Sequence, residues 1–249
     1  MKVWTTGQHV GGMARFAALS AVCIALSGCQ SINPTVIHTE VRVIDASPDA
    51  PGLDIYQNND ILTYNMGFGS ITSYVPLTPG TYSISADLAG SHQVLATAKQ
   101  TFGAGKQYTV LIGNVAASLG ETILTDQSSA APSGQIALRF LDQATKIGAV
   151  DVYLVPSGSK LTGVTPLLTN VTFGTNTGYV NVPTGSYAVV LLPTGTVPVS
   201  TTIATYFGAT VAYPGGSART IILLDTQLVT SPGLQVITAI DYDSATATQ

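Results

Sequence analysis

Apolar and polar residues follow one another along this chain in short β-branched runs, and Gly, Pro and Asn turns separate the runs every eight to twelve residues. VRVID at 41–45, LDIY at 53–56, a short run near NMGF at 65–68, TSYVPL at 72–77, TYSISADL at 81–88, QVLATAKQTF at 93–102 and QYTVLIG at 107–113 all have strand length. TILTD at 122–126 adds a possible eighth. No stretch places apolar residues at the i, i+3, i+4 spacing of an amphipathic helix. The pattern predicts an all-β chain, and strands at this spacing predict immunoglobulin-like β-sandwiches.

The pattern occurs twice. Residues 41–56, VRVIDASPDAPGLDIY, align without a gap to 138–153, LRFLDQATKIGAVDVY. Further on, NMGFGSITSYVPLTPGTYSIS (65–85) matches NVTFGTNTGYVNVPTGSYAVV (170–190). The offset grows from 97 to 105 residues between the blocks, so the second copy carries an eight-residue insertion around 157–166. AGKQYTVLIGN and GGSARTIILLD pair more loosely. Two tandem domains are expected, at 39–126 and 136–243, joined by a flexible linker of Ser, Ala, Pro and Gly at 127–135 and followed by a loose tail at 244–249.

The first copy resembles the bacterial DUF4397 family in VRVIDASPDAP, LDIY, FGSITSY, LTPGTYSI and GAGKQYTVLIG, departing at Asp45, where the family commonly has His or Asn. The second copy keeps LDQ, VDVY, FGTNTGY and VPTGSYAV but lacks SPDAP. The resemblance covers nearly all of residues 40–225. It implies an exported β-sandwich, often lipid- or cell-wall-anchored, and implies no activity.

Lys2 and Arg15 precede an apolar run at 16–26 that is shorter than the about twenty residues a membrane-spanning helix needs. Residues 1–28 therefore read as a secretory leader. The run ends in Leu26, Ser27, Gly28 and Cys29, which resembles the bacterial lipobox; the resemblance implies cleavage before Cys29, acyl chains such as palmitate on its sulfur, and a membrane as partner. Residues 29–38 would then be a tether. Gln30 stands where an aspartate would mark inner-membrane retention, which in a Gram-negative cell implies the outer membrane.

Charge narrows the function classes. The chain has 9 Lys and Arg against 13 Asp and Glu, and loss of the leader makes the balance more acidic, which excludes the basic footprint of nucleic-acid binding. Of the two cysteines only Cys29 would remain, committed to lipid. A Ser-His-Asp system or a zinc site needs convergent histidines, yet His38 lies in the tether and His92 in a turn, neither repeated. No catalytic residue, cofactor or metal is assigned, and an envelope hydrolase is the weakest alternative.

Two groups remain as candidates. Asp45, Asp49 and Asp54 could build a turn, contact a partner, or offer carboxylates to calcium, which takes six to eight oxygens. Asp45 and Asp54 recur as Asp142 and Asp151, whereas Asp49 is replaced by Lys146, so the recurring pair reads as scaffold. Tyr56, Tyr74 and Tyr82 recur as Tyr153, Tyr179 and Tyr187 and read as core or corner residues; Tyr64, Tyr108, Tyr206, Tyr213 and Tyr242 do not recur. Tyr206, Phe207 and Tyr213 form the best aromatic candidate for a patch. The expected function is a non-catalytic, lipid-anchored structural or binding module of the cell envelope, with a carbohydrate- or peptidoglycan-binding module as the alternative and an envelope protein or glycan as partner.

Overall fold

The computed structural model describes residues 37–227 and 233–243. The leader, the lipobox with Cys29, most of the tether and the tail lie outside them.

The first eight strands are β1 (Thr39–Asp45), β2 (Leu53–Gln57), β3 (Asp60–Met66), β4 (Val75–Leu77), β5 (Gly80–Leu88), β6 (Val94–Phe102), β7 (Gln107–Gly113) and β8 (Gly120–Thr125). The next eight are β9 (Gln135–Asp142), β10 (Val150–Pro156), β11 (Leu168–Val171), β12 (Asn176–Pro183), β13 (Gly185–Pro193), β14 (Tyr206–Tyr213), β15 (Ala218–Asp225) and β16 (Leu234–Tyr242). The first set forms two sheets, β4-β1-β7-β8 and β3-β2-β5-β6. The second repeats both orders as β12-β9-β15-β16 and β11-β10-β13-β14. The fold is all-β: among the described residues, two β-sandwich units of eight strands each.

Alternation fills each sandwich. Val41, Val43, Val110 and Ile112 face Leu53, Ile55, Ile84 and Ala86 in the first core; Ile136, Leu138, Ile221 and Leu223 face Val150, Val152, Val189 and Leu191 in the second. β1, β7, β9 and β15 are nonetheless buried along almost their whole length, on both faces. β1 runs parallel to β7 and β9 parallel to β15, and parallel strands covered on both sides read as near-continuous apolar runs. Their second faces meet each other: Ile44, Ala46, Leu111 and Leu124 of one sandwich pack with Leu141, Ile222, Leu224 and Ala239 of the other.

At one end of this seam sit four charges that cancel. Arg42 and Arg139, each 2% exposed, occupy the same position in the two copies. Arg42 pairs with Asp241 of the second sandwich, and Arg139 pairs with Asp126 of the first. Arg42 Nε donates to Thr109 Oγ1 at 2.8 Å, and Thr109 donates to Asp126 at 2.6 Å. In the mirrored set, Arg139 Nε donates to Thr220 Oγ1 at 3.0 Å, and Thr220 donates to Asp241 at 2.7 Å. Each guanidinium also donates to a backbone carbonyl, of Ile240 and Thr125, and lies over a tyrosine ring, Tyr74 at 4.7 Å and Tyr179 at 4.8 Å. Burial holds both phenols well above their ordinary range, so Tyr74 stays a donor to Asp126.

The stretch 127–135, expected as a flexible linker, is tied down. The Gln127 N–H donates to the Tyr179 hydroxyl at 3.1 Å, the Ala131 N–H to the Gly216 carbonyl at 3.0 Å, and Ala131 packs on Ala137 and Ala218. Small residues chosen by a flexible chain and small residues chosen by a tight seat have the same composition; here the seat explains them.

β1 and β9 start at the same end of the block. Residues 37–38 lie there beside the β6–β7 turn, where Gly105 N–H donates to the His38 carbonyl at 2.9 Å. The opposite end gathers the loops after β1, β5, β9 and β13, with Gln143 set so close to Gly113 that a Cβ there would meet its Oε1 at 2.0 Å.

Removing one partner of a buried pair leaves an uncompensated charge, at about 3–5 kcal/mol. Asp241→Ala is therefore expected to lower stability by about that amount, whereas Arg42→Met with Asp241→Leu together should lower it far less. Calorimetry on the intact protein should show one cooperative transition, and two separated transitions would mean that the seam does not couple the sandwiches.

Candidate functional site

The acidic corner after β1 is a network of backbone contacts. Asp45 Oδ1 accepts the Ser47 N–H at 2.9 Å, and Asp142 Oδ1 accepts the Ala144 N–H at 2.9 Å, the short-range turn that a strand-ending aspartate makes. Asp49 Oδ1 reaches the β7–β8 turn and accepts the Ala116 N–H at 2.8 Å. The second copy makes the same tie from the other side: Asp225, at the end of β15, accepts the backbone N–H groups of Thr145 at 2.8 Å and Lys146 at 3.1 Å. This is why Lys146 can stand where Asp49 does.

Asp54 performs a different task. Its two oxygens accept the N–H groups of Asn65 at 2.8 Å and Gly90 at 2.9 Å, residues with φ of 45° and 73°. Asp151 repeats the clamp on Asn170 and Gly195, at 2.9 Å each and φ of 56° and 81°. The recurring aspartate thus fixes two left-handed positions at once. Asp45, Asp49 and Asp54 each serve separate loops, and among the described residues no group of three or more His, Cys, Asp or Glu is placed to hold a metal ion.

Tyr206, Phe207 and Tyr213 do not form one patch. Tyr213 is 5% exposed inside the second core, where Tyr206 also packs, while Phe207 is 65% exposed. The pairing of β13 with β14 slips between Ala188/Thr210 and Val190/Phe207, so a bulge at Gly208 and Ala209 reverses the alternation and turns both tyrosines inward. Of the tyrosines that recur, Tyr82 and Tyr187 donate to the carbonyls of Thr78 at 2.8 Å and Pro183 at 2.9 Å, as corner residues do. Tyr108 is buried, and Tyr64 is 68% exposed.

The outer faces of β3-β2-β5-β6 and β11-β10-β13-β14 differ most between the copies. In the second, Tyr153, Val155, Ala188, Val190 and Leu192 make an apolar cluster, covered by Leu161 and Val164 from the insertion and by Ala204. The matching positions of β5 in the first copy are Ser83, Ser85 and Asp87. There no insertion covers the face: Tyr56 is partly exposed, its ring 5.5 Å from that of His92, while Asp54 and Asp87 stay buried. Thr81 and Thr101 hydroxyls meet at 2.7 Å and those of Ser83 and Thr97 at 3.2 Å. His92 thus lies against an aromatic ring in a turn at the rim. The sequence signal for this face was TYSISAD against SYAVVLL at equal positions, together with an insertion in only one copy.

Residues 39–153 match the family model described as Domain of unknown function (DUF4397), a span that begins with β1 and ends within β10. No curated protein sequence matches the chain. Among solved structures, the Bacillus anthracis TIE protein is similar at 12% identity and a TM-score of 0.24, over 76% of this chain and 34% of that one. The chain thus spans about a third of that protein's length. CBMbc, of family CBM26, from Eubacterium rectale Amy13K, solved in complex with maltoheptaose, is similar at 12% identity and a TM-score of 0.22, over 84% of this chain and 98% of that one. At these scores nothing about ligand or activity is transferred.

Burial pushes the carboxyls of Asp45 and Asp142 up to about 6, against 3.8 for an ordinary aspartate, with the Ser47 and Ala144 N–H groups pulling the other way. Their contribution to stability is full below pH 3.8 and is lost as the pH rises through 6. Asp54 is opposite: the Asn65 and Gly90 N–H groups hold it low, as Gly195 and Asn170 do for Asp151 against the effect of burial. That contribution is lost only in strong acid. The unfolding temperature should rise between pH 7.5 and 5, and Asp45→Asn with Asp142→Asn should flatten that rise and stabilise the protein at pH 7.5 by on the order of 2 kcal/mol per site. An unchanged slope in the double variant would show that other groups set the pH dependence.

Proposed function

We propose that this protein is a non-catalytic, lipid-anchored structural or binding module of the cell envelope, held at a membrane through Cys29 and, in a Gram-negative cell, at the outer membrane. The observation that carries this reading is the exchanged pair of buried ion pairs, which fuses two sandwiches into one block with the chain entering at one end and four loops gathered at the other. Charged side chains are spent on that seam and on clamping loops: Asp49, Asp54, Asp126, Asp151, Asp225 and Asp241 all accept hydrogen bonds from within the chain. A rigid body of this kind presents its loops at a fixed distance from the point where the chain enters it, and presentation rather than bond-making is the use that suits it.

Lipobox chemistry supplies the anchor. Two acyl chains already suffice for stable attachment, since each buried methylene contributes roughly 0.8 kcal/mol. The test is metabolic labelling with an alkyne fatty acid, membrane fractionation and in-cell crosslinking of the full chain and of Cys29→Ala. The full chain should be labelled, sediment with membranes and crosslink to a reproducible envelope component. The variant should lose label and sedimentation. A variant that still sediments with membranes, or a chain that takes no label, would overturn the anchored reading.

A further inference from the structure

We propose that the cavity on one flank of the seam, at the loop end of the block, binds a single neutral N-acetylated sugar residue, with Asn114, Gln143 and Asn176 meeting its polar groups and Phe173 its ring face. This rests on the reading of the protein as a binding module and names the place and the ligand class.

The two flanks of the seam are equivalent by repeat and yet unlike. β1 pairs with β7 in the register in which β9 pairs with β15, so Ile44 and Leu111 correspond to Leu141 and Ile222. On one flank Ile222, Leu224 and Ala239 pack with Ile44 and Ala46, and Phe68, Ile71 and Ile237 pack against them. That flank is filled with apolar side chains. On the other, the counterparts of Leu224, Ala46, Ile71 and Ile237 are Gly113, Gln143, Asn176 and Thr122. Phe173, the counterpart of Phe68, is 43% exposed. What remains is a cavity of about 270 Å³ between Leu111, Leu124 and Leu141 and the polar side chains around them. Gly120, Thr122, Phe173 and Asn176 on its lining are exposed, so a ligand can enter. A seam that needed only cohesion would be filled on both flanks, because an unfilled cavity costs stability.

The walls hold donors and acceptors but no charge. Asn114 Oδ1 accepts the Val115 N–H at 2.8 Å, Asn176 Oδ1 accepts the Gly178 N–H at 3.1 Å, and Gln143 Nε2 donates to the Asp142 carbonyl at 3.1 Å. The chain thus orients each amide by one end and leaves Asn114 Nδ2, Asn176 Nδ2 and Gln143 Oε1 for a ligand. No lining residue is charged, so a charged ligand would lose hydration without gaining a counter-charge. An acyl chain would leave the amides without partners. The volume is that of about nine waters at roughly 30 Å³ each, which suits one sugar ring with its substituents. An acetamido group brings one N–H and one carbonyl, matching Gln143 Oε1 and an asparagine Nδ2, and its methyl group suits the leucine floor. The C–H face of the ring suits the Phe173 ring at the rim.

The experiment titrates the full-length protein in detergent with N-acetylglucosamine and with glucose, by saturation-transfer NMR and calorimetry, with thermal unfolding as the check on each variant. N-acetylglucosamine should bind, and glucose should bind about tenfold more weakly. Gly113→Leu with Gln143→Ala reproduces the filled flank, so it should abolish binding while keeping or raising the unfolding temperature. Phe173→Ala, at the exposed rim, should weaken binding about fivefold. Tyr64→Ala, which does not line the cavity, should leave it unchanged. Equal affinity for glucose would overturn the acetamido assignment, and binding retained by both the double variant and Phe173→Ala would overturn the site. If N-acetylglucosamine does not bind while the full chain still crosslinks to its Cys29-dependent partner, the sugar site falls and the binding module stands. If there is neither sugar binding nor a partner, both readings fail.

Discussion

The exchange of Arg42 and Arg139 across the seam is the constraint on which the architecture depends. A guanidinium in the middle of a doubly covered strand is tolerable only where every donor finds an acceptor and the charge is balanced. Neither sandwich can do this alone. Arg42 pairs directly with Asp241 and lies 3.7 Å from Asp126, which Arg139 pairs with directly, so only the two aspartates together balance the two arginines, and each aspartate is positioned by a threonine of its own sandwich. The apolar contacts around Ile44, Leu111, Ile222 and Leu224 supply burial, but they would allow the sheets to slide. The ion pairs fix one register.

Much of this was written in the chain in a form that alignment of the two copies exposes. The recurrence of Asp45 and Asp54 marked them as scaffold, and their hydrogen bonds to turn and loop N–H groups give the physical reason. The arginines recur just as plainly, in VRVID and LRFLD, and they interrupt apolar runs that fail to alternate. That combination indicates strands covered on both faces with a partner waiting for the charge, but it becomes legible only when the copies are considered as each other's cover. Residues 127–135 misled because composition does not distinguish a loose segment from a closely seated one. The Tyr206 to Tyr213 segment misled because a single bulge at Gly208 and Ala209 shifts the parity of everything after it, and glycine is the only trace of it in the sequence.

Duplication also explains where the copies diverge. Cores, clamps and seam are held in common, and the outer faces, which no shared contact constrains, have gone separate ways. One copy has closed its face with its own loop and made the floor apolar. The other has kept a polar, aromatic floor with no insertion across it. The same β-sandwich thus serves as a covered support in one half and as an exposed surface in the other.

The parallel pairing of β1 with β7 has a mechanical consequence. The chain enters the fold at residue 37 and passes at once into β1, whose residues from Glu40 to Asp45 pair with Gln107 to Ile112. A load applied at the entry and resisted at the far loops runs along these strands, so it shears all the bonds of the ladder together and cannot peel them one by one. Yielding would require β1 to slide past β7 while dragging Arg42 out from among its acceptors. The first strand therefore acts as a force-bearing latch, with the buried guanidinium as its detent.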